Sequence, residues 1–172
     1  MRIFKEEQRF NQLWLIILIV LSALVPSGII LGSYIKDSSR FTTIEFILIL
    51  FLMLFASGFI FLFKLTTRID EKGIHYKFFP FHIKQKTIYW NEISKAYVRT
   101  YDAVLEYGGW GLKGGALWEK SKGKAINVSG DVGIQLELKN GKKLLIGTLK
   151  KNDAQSILKT YKQAHYNIHF SS

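Results

Sequence analysis

The chain has 172 residues, 48% of them hydrophobic, with a formal net charge of +11 and no cysteine. Without a thiol there is no disulfide framework, no cysteine nucleophile and no zinc site built on sulfur. The length allows a single domain, but apolar residues and charge are so unevenly spread that the chain reads as two parts.

The opening MRIFKEEQRF reads as a short, charged lead-in. Two apolar runs follow, Leu13 to Ile35 and Phe46 to Phe63, with the loop KDSSRFT between them and no charged residue in either. A helix crossing the hydrocarbon core needs about 20 apolar residues, and a backbone inside lipid must satisfy its own hydrogen bonds. The expected elements are therefore two transmembrane helices, over about 13–35 and 44–65, the second taking in Ile44, Glu45, Lys64 and Leu65. Residues 1–65 form the lead-in and this hairpin, and residues 66–172 a separate domain that folds without it. A cleaved signal peptide is the competing reading of the first run. Its apolar region would be only about 7–15 residues, and Ser22-Ala23-Leu24-Val25-Pro26 is a poor cleavage site.

Arg2, Lys5 and Arg9 precede the first run, Lys36 and Arg40 lie in the loop, and Lys64, Arg68, Lys72 and Lys77 follow the second. Positive flanks stay cytoplasmic, so both termini are expected inside and the loop outside. Pro26 is expected to kink the first helix. Ser22 and Ala23 should lie at the depth of Ala56, Ser57 and Gly58 and form a contact of small residues. Gly28 and Gly32 make a small-xxx-small pair opposite Phe46 to Leu50, filled either by a bulky side chain or by another subunit. Glu45 sits close enough to the outer interface to reach water. It has no intramembrane partner that would make it a proton carrier.

Residues 66–172 carry eighteen Lys and Arg against nine Asp and Glu, so most of the positive charge is here. The apolar period changes from helical to strand-like at Thr66. TTRIDEKGIHYKF reads as strand, turn and strand, with Asp70 to Gly73 as the turn. Ile74, Tyr76 and Phe78 point one way, and Pro80 ends or bends that strand. IKQKTIYW and NEISKAYVRTY are further strands, rich in β-branched and aromatic residues. EYGGWGLKGG is a glycine-dense loop that runs on through a polar stretch to Lys124. KAINVSG is a short strand. VGIQLELKNGKKLLIG is a hairpin with Asn140-Gly141 as a type I′ turn, one face apolar and one wet. The last element is a helix with capping-box spacing at Asn152 and Gln155. Its apolar stripe is Ala154, Ile157, Leu158, Tyr161 and His165. Six or seven antiparallel strands and a terminal amphipathic helix imply a small barrel or sandwich with the helix packed on it.

The order of short strands, the phrase TIYWNEISKAYVR, the NG hairpin ending LLIGT and the closing helix resemble a bacterial pleckstrin-homology-like domain. EYGGWG followed by INVSG is similar to a recurring pattern in that group, and two transmembrane helices ahead of such a domain are a common arrangement there. The resemblance implies two bent antiparallel sheets forming a partly open barrel or sandwich capped by a C-terminal helix. It brings no catalytic residues with it.

Gly109, Gly111 and Gly114 match G-x-G-x-x-G, but a dinucleotide site needs a strand before it and a helix directly after, and here ALWEKSKGK and a strand follow. Neither a phosphate-binding G-x-x-x-x-G-K-[ST] nor a nucleophile elbow occurs. His165 and His169 are four apart with no carboxylate after them, a poor metal pair. Asp102 and Glu106 could face each other across a loop, with nothing to raise a pKa. No enzymatic activity, cofactor or metal is expected. The remaining candidate is a basic-aromatic loop: Trp110, Lys113, Trp118, Lys120, Lys122 and Lys124. Tryptophan prefers the membrane interface and lysine reaches headgroup phosphates; the competing reading has the indoles packed on the barrel and the lysines merely solvated. The expected partners are membrane lipids at the inner face of a bacterial cytoplasmic membrane, and not nucleic acid. The alternative is a protein-interaction or assembly module, with a partner or a second copy packing on the transmembrane helices or a sheet edge.

Overall fold

Phe4–Arg9, the stretch that reads as a charged lead-in, is the first strand (β1) of a β-sheet in the computed structural model. The structure describes residues 3–36, 42–114 and 123–169. The elements that follow are α1 (Leu13–Lys36), α2 (Thr43–Gly58, continued by a 3-10 turn over Phe59–Leu62), β2 (Lys64–Ile69), β3 (Gly73–Phe79), β4 (Lys86–Tyr89), β5 (Ile93–Thr100), α3 (Ala103–Tyr107), β6 (Gly111–Lys113), β7 (Lys124–Asn127), β8 (Val132–Leu138), β9 (Lys143–Gly147) and α4 (Lys151–His169). Met1–Arg9 and Lys64–Ser172 make one compact unit, and Phe10–Phe63 makes the other.

β1 pairs antiparallel with β2 from Phe4 opposite Ile69 to Arg9 opposite Lys64. The helical hairpin is thus an insertion between two adjacent strands, and the boundary expected at residue 65 moves to two boundaries, after Arg9 and before Lys64. The alternation of β1 was hidden because only Phe4 on its inward face is apolar. The other inward residues, Glu6 and Gln8, are buried and polar, and distant partners bond the Glu6 carboxylate and the Gln8 amide nitrogen. Glu6 accepts from Thr148 Oγ1 at 2.6 Å and from the Leu149 N–H at 2.8 Å, while Gln8 Nε2 donates to the Gly147 carbonyl at 2.8 Å. These bonds tie the sheet containing β1 to the end of β9. A buried polar group costs stability unless it is bonded, so β1 is specific to this position.

The inserted unit is a pair of helices long and apolar enough to cross a membrane, Leu13–Lys36 and Thr43–Leu62. α1 continues through Pro26. Thr42 and Glu45 form a capping box at the start of α2, with Glu45 Oε2 accepting from the Thr42 N–H at 2.9 Å. Tyr34 stacks on Phe46 at 4.5 Å and its hydroxyl meets Thr43 Oγ1 at 3.1 Å, while Phe10 and Phe63 meet edge-on at 6.1 Å. The less exposed residues follow one stripe, Ile16, Ile19, Ala23, Pro26, Ile30 and Ser33 on α1 with Leu15, Ser27 and Tyr34 flanking it, and Phe46, Leu50, Met53, Ser57 and Ile60 on the second helix with Ile49 flanking it. Intervals alternating between three and four residues are those of a left-handed helix pair.

That seam corrects the expected small-residue contact. Ala23 and Ser57 lie on it, but Ser22, Ala56 and Gly58 are each one residue off, about 100° round the helix, and are exposed. A Cβ placed on Gly28, Gly32 or Gly58 would meet nothing within 4 Å, so among the described residues no bulky side chain fills the glycine pair. The second helix also ends sooner than expected. Leu65 is no lipid-facing residue but a fully buried member of β2.

The β unit holds a four-stranded sheet in the order β1-β2-β3-β4 and a five-stranded sheet in the order β5-β8-β9-β7-β6. It is a two-sheet arrangement with no closed barrel, and β7 runs parallel to β9 where only antiparallel pairs were expected. Leu65, Ile69, Ile74 and Phe78 from one sheet and Ile126, Ile134, Leu136, Leu145 and Ile146 from the other form the core. Ala154, Ile157, Leu158 and Tyr161 of α4 are buried as their spacing predicts, and Tyr161 stacks on Trp90 at 5.5 Å.

Three local readings change. Asn152 lies inside α4, which starts at Lys151, so it is not the cap. Gly141 has φ +80° but Asn140 does not have positive φ, so the NG loop is not type I′. The Leu138 N–H bonds to Lys142 O, leaving a three-residue loop in which glycine takes the left-handed position after a type I turn. Finally, the expected wet face of β8 carries buried Gln135, which accepts from Arg99 Nε at 3.1 Å, because β8 lies between β5 and β9.

Candidate functional site

Register defines one end of the four-stranded sheet. Arg9 faces Lys64, and Lys64 faces Phe79. The two strand ends that join the hairpin and the end of β3 therefore lie in one row, with neighbouring strands about 4.8 Å apart. The loop from Pro80 to Gln85 starts from this row. The Phe79-Pro80 bond is cis. The His82 N–H donates to the Phe78 carbonyl at 2.7 Å, the Phe81 ring stacks on buried Phe78 at 5.8 Å, and Tyr76 meets His82 edge-on at 5.7 Å. The loop is held in shape, yet its apolar side chains and that of the last β3 residue face out: Phe79 is 41%, Phe81 60% and Ile83 80% exposed.

β6 and β7 bring part of the sequence-predicted loop to the same place. Lys113 faces Ala125 at the end of β6, beside Lys124 at the start of β7. Gly114 and Gly123 have φ of +102° and +79°, and a Cβ on Gly123 would collide with the Lys143 carbonyl, so the approach there requires glycine. Burial holds the His82 imidazole below its ordinary pKa, and the positive charges of Lys86 and Lys124 push it the same way. Lys124 and the β3–β4 loop thus share one electrostatic neighbourhood.

Trp118, Lys120 and Lys122 lie outside the described residues, in the connection between β6 and β7. Trp110 sits apart from the lysines, at the other end of β6, where its indole Nε1 donates to the Gly130 carbonyl at 3.4 Å. It lines an open cleft with Tyr101, Asp102, Val104 and Asp131. Sequence reasoning assigned no role to Phe79, Phe81 or Ile83. The signal was present in FFPFHI: a chain reversal after a proline with no Gly, Asn, Asp or Ser in it is an unusual turn.

Asp102 and Glu106 are structural rather than a facing acid pair. Asp102 caps α3 by accepting from the Val104 and Leu105 N–H groups, and Arg99 grips both oxygens of Glu106 at 3.1 and 2.8 Å. Burial pushes the Tyr101 phenol up to about 12, against the Asn127 amide that donates to it at 2.9 Å.

At the opposite end of β3, His75 bridges Asp70 Oδ1 at 2.9 Å and Thr87 Oγ1 at 2.8 Å. Asp70 also pairs with Arg68 at 2.9 Å and accepts from the Lys72 N–H. Burial raises the Asp70 carboxyl, but these bonds and charges outweigh it and hold it below its ordinary value. A depressed carboxyl stabilises the fold above its unfolded pKa and ceases to do so as pH falls through its folded one. Acid should therefore destabilise the native chain more steeply than an Asp70→Asn variant, as read from thermal melts at neutral and acid pH. Equal slopes would show that Asp70 does not contribute.

Among the described residues, no group of three or more His, Asp or Glu could hold a metal ion. A groove of about 390 Å³ runs between the β5 edge and α4, lined by Trp90, Lys95, Lys139, Leu158, Tyr161 and Lys162. Compared with protein-family models, curated proteins and solved structures, the chain matches none of them.

Proposed function

We propose that the chain is a membrane-anchored, non-enzymatic binding module of the pleckstrin-homology-like kind. In this reading it sits at the inner face of a bacterial cytoplasmic membrane, with both termini inside, and its basic end associates with anionic lipid headgroups. One observation carries the reading: the sheet end joined to both spans, Arg9 and Lys64, is continuous with the loop whose His82 feels Lys86 and Lys124. Because β1 and β2 are adjacent strands of one sheet, both ends of the hairpin must emerge on the same side of a bilayer. Lysines next to an anionic surface contribute about 1 kcal/mol each, and salt screens that attraction.

The test is vesicle co-sedimentation of a domain freed from the hairpin by joining Arg9 to Lys64. Changing Lys113, Lys120, Lys122 and Lys124 to Gln should weaken binding to anionic vesicles by about 1 kcal/mol per lysine that reaches a headgroup. Unchanged binding would remove the lipid reading. The alternative, a protein-interaction module, is favoured by the basic groove beside the β5 edge and by the open faces of Gly28 and Gly32. It gains if the lysine variants bind normally.

A further inference from the structure

We propose that the β3–β4 loop is a third membrane contact, an apolar wedge in which Phe79, Phe81 and Ile83 enter the headgroup–acyl boundary of the bilayer that the two helices cross. The inference rests on the reading that the helices span a membrane, but it needs no lipid charge. Phe79 faces Lys64, and Phe63 alone separates Lys64 from the 3-10 turn that ends the second span. One residue of chain reaches at most about 3.6 Å, so the loop begins next to the point where the chain leaves the hydrocarbon.

Three large apolar side chains at 41%, 60% and 80% exposure, the first at the end of β3 and the other two on the short loop after it, form a patch of the kind that marks an interaction site. The exposure does not come from a slack segment. His82 closes the turn onto Phe78 and Phe81 stacks on the core, so the ordering entropy is already spent before contact. Lys84 and Lys86 are exposed directly after the apolar residues. An apolar tip with lysines behind it is the pattern of interfacial membrane segments, in which the long lysine side chains reach back to headgroups. The partly depressed His82 fits as well, since a neutral imidazole enters an interface more easily than an imidazolium. The occupant is lipid rather than a second copy because the patch continues the row of strand ends that joins the spans.

The natural chain has no cysteine, so single probes can be placed in the full-length protein. Ile83→Cys and Phe81→Cys would carry an environment-sensitive fluorophore, with Lys72→Cys in the β2–β3 turn as the distant control. The chain is reconstituted at one copy per nanodisc, in zwitterionic and in anionic lipid. Blue-shifted emission and quenching by shallow doxyl-labelled lipid are expected at 81 and 83 in both lipids, with aqueous emission at 72. Ile83 is the most exposed of the three, so a failure of Phe81→Cys to fold leaves the Ile83 probe decisive. Aqueous emission at 83 overturns the wedge even if the lysines still respond to lipid charge. A blue shift that appears only when two copies share a disc overturns it in favour of self-association. Insertion in both lipids with no response of the lysines to charge supports the wedge and counts against the headgroup reading alone.

Discussion

A chain that starts at Thr66 will fail to unfold cooperatively, whereas one in which residues 3–9 are joined to Lys64 by Asn-Gly will fold as a soluble domain. Arg9 and Lys64 face each other at the end of an antiparallel pair, the geometry that a two-residue type I′ loop closes. Omitting β1 uncovers β2 and strips partners from the Gly147 carbonyl, the Thr148 hydroxyl and the Leu149 N–H. Each such hydrogen bond contributes about 0.5–1.5 kcal/mol net, and the β1–β2 ladder and the buried Phe4 side chain are lost as well. Together these approach the 5–15 kcal/mol that typically stabilises a whole domain. Denaturant titration followed by circular dichroism distinguishes the two chains. A cooperative transition in the shorter one would show that β1 is dispensable.

Ile157→Asp should cost several kcal/mol and detach α4. Ile157 is buried between Ala154, Leu158 and Tyr161 on the face that packs against the sheets. The change removes apolar burial and puts a carboxylate against the core face of the helix, a cost that Lys5 and Lys150 at the rim of the neighbouring cleft offset only in part. Gln155→Asp, two residues away on the exposed face of the first turns, is the control; a negative charge there is compatible with the helix N-terminus. Comparable destabilisation by both variants would mean that the stripe does not dock.

Elements with undivided patterns were legible in the sequence. The two long apolar helices, the Asp70–Gly73 turn and the α4 stripe follow from apolar period and turn chemistry. β1 was not legible, because Glu6 and Gln8 occupy inward positions and their partners lie some 140 positions further along the chain. α3 was missed because five residues are too short for a helical period to register. Its start rests on one capping side chain, Asp102. The hairpin seam was misplaced by one residue, since small residues alone do not say which side of a helix meets its neighbour. Of the predicted basic loop, Lys113 and Lys124 fall at the end near His82 and Trp110 does not. The apolar residues of FFPFHI went unnoticed because a strand ending in proline gives no reason to expect exposed phenylalanines.

In the lipid-binding reading, the sheet end joined to both apolar helices also meets anionic headgroups. The most direct measurement is the partition of the Arg9-to-Lys64 joined domain between buffer and vesicles as the anionic lipid fraction is raised. Bound protein should rise steeply with anionic lipid, fall with added salt, and depend less steeply on lipid charge when Lys113 and Lys124 become Gln. Binding that is flat across lipid composition, or absent from anionic vesicles at low salt, would contradict this reading.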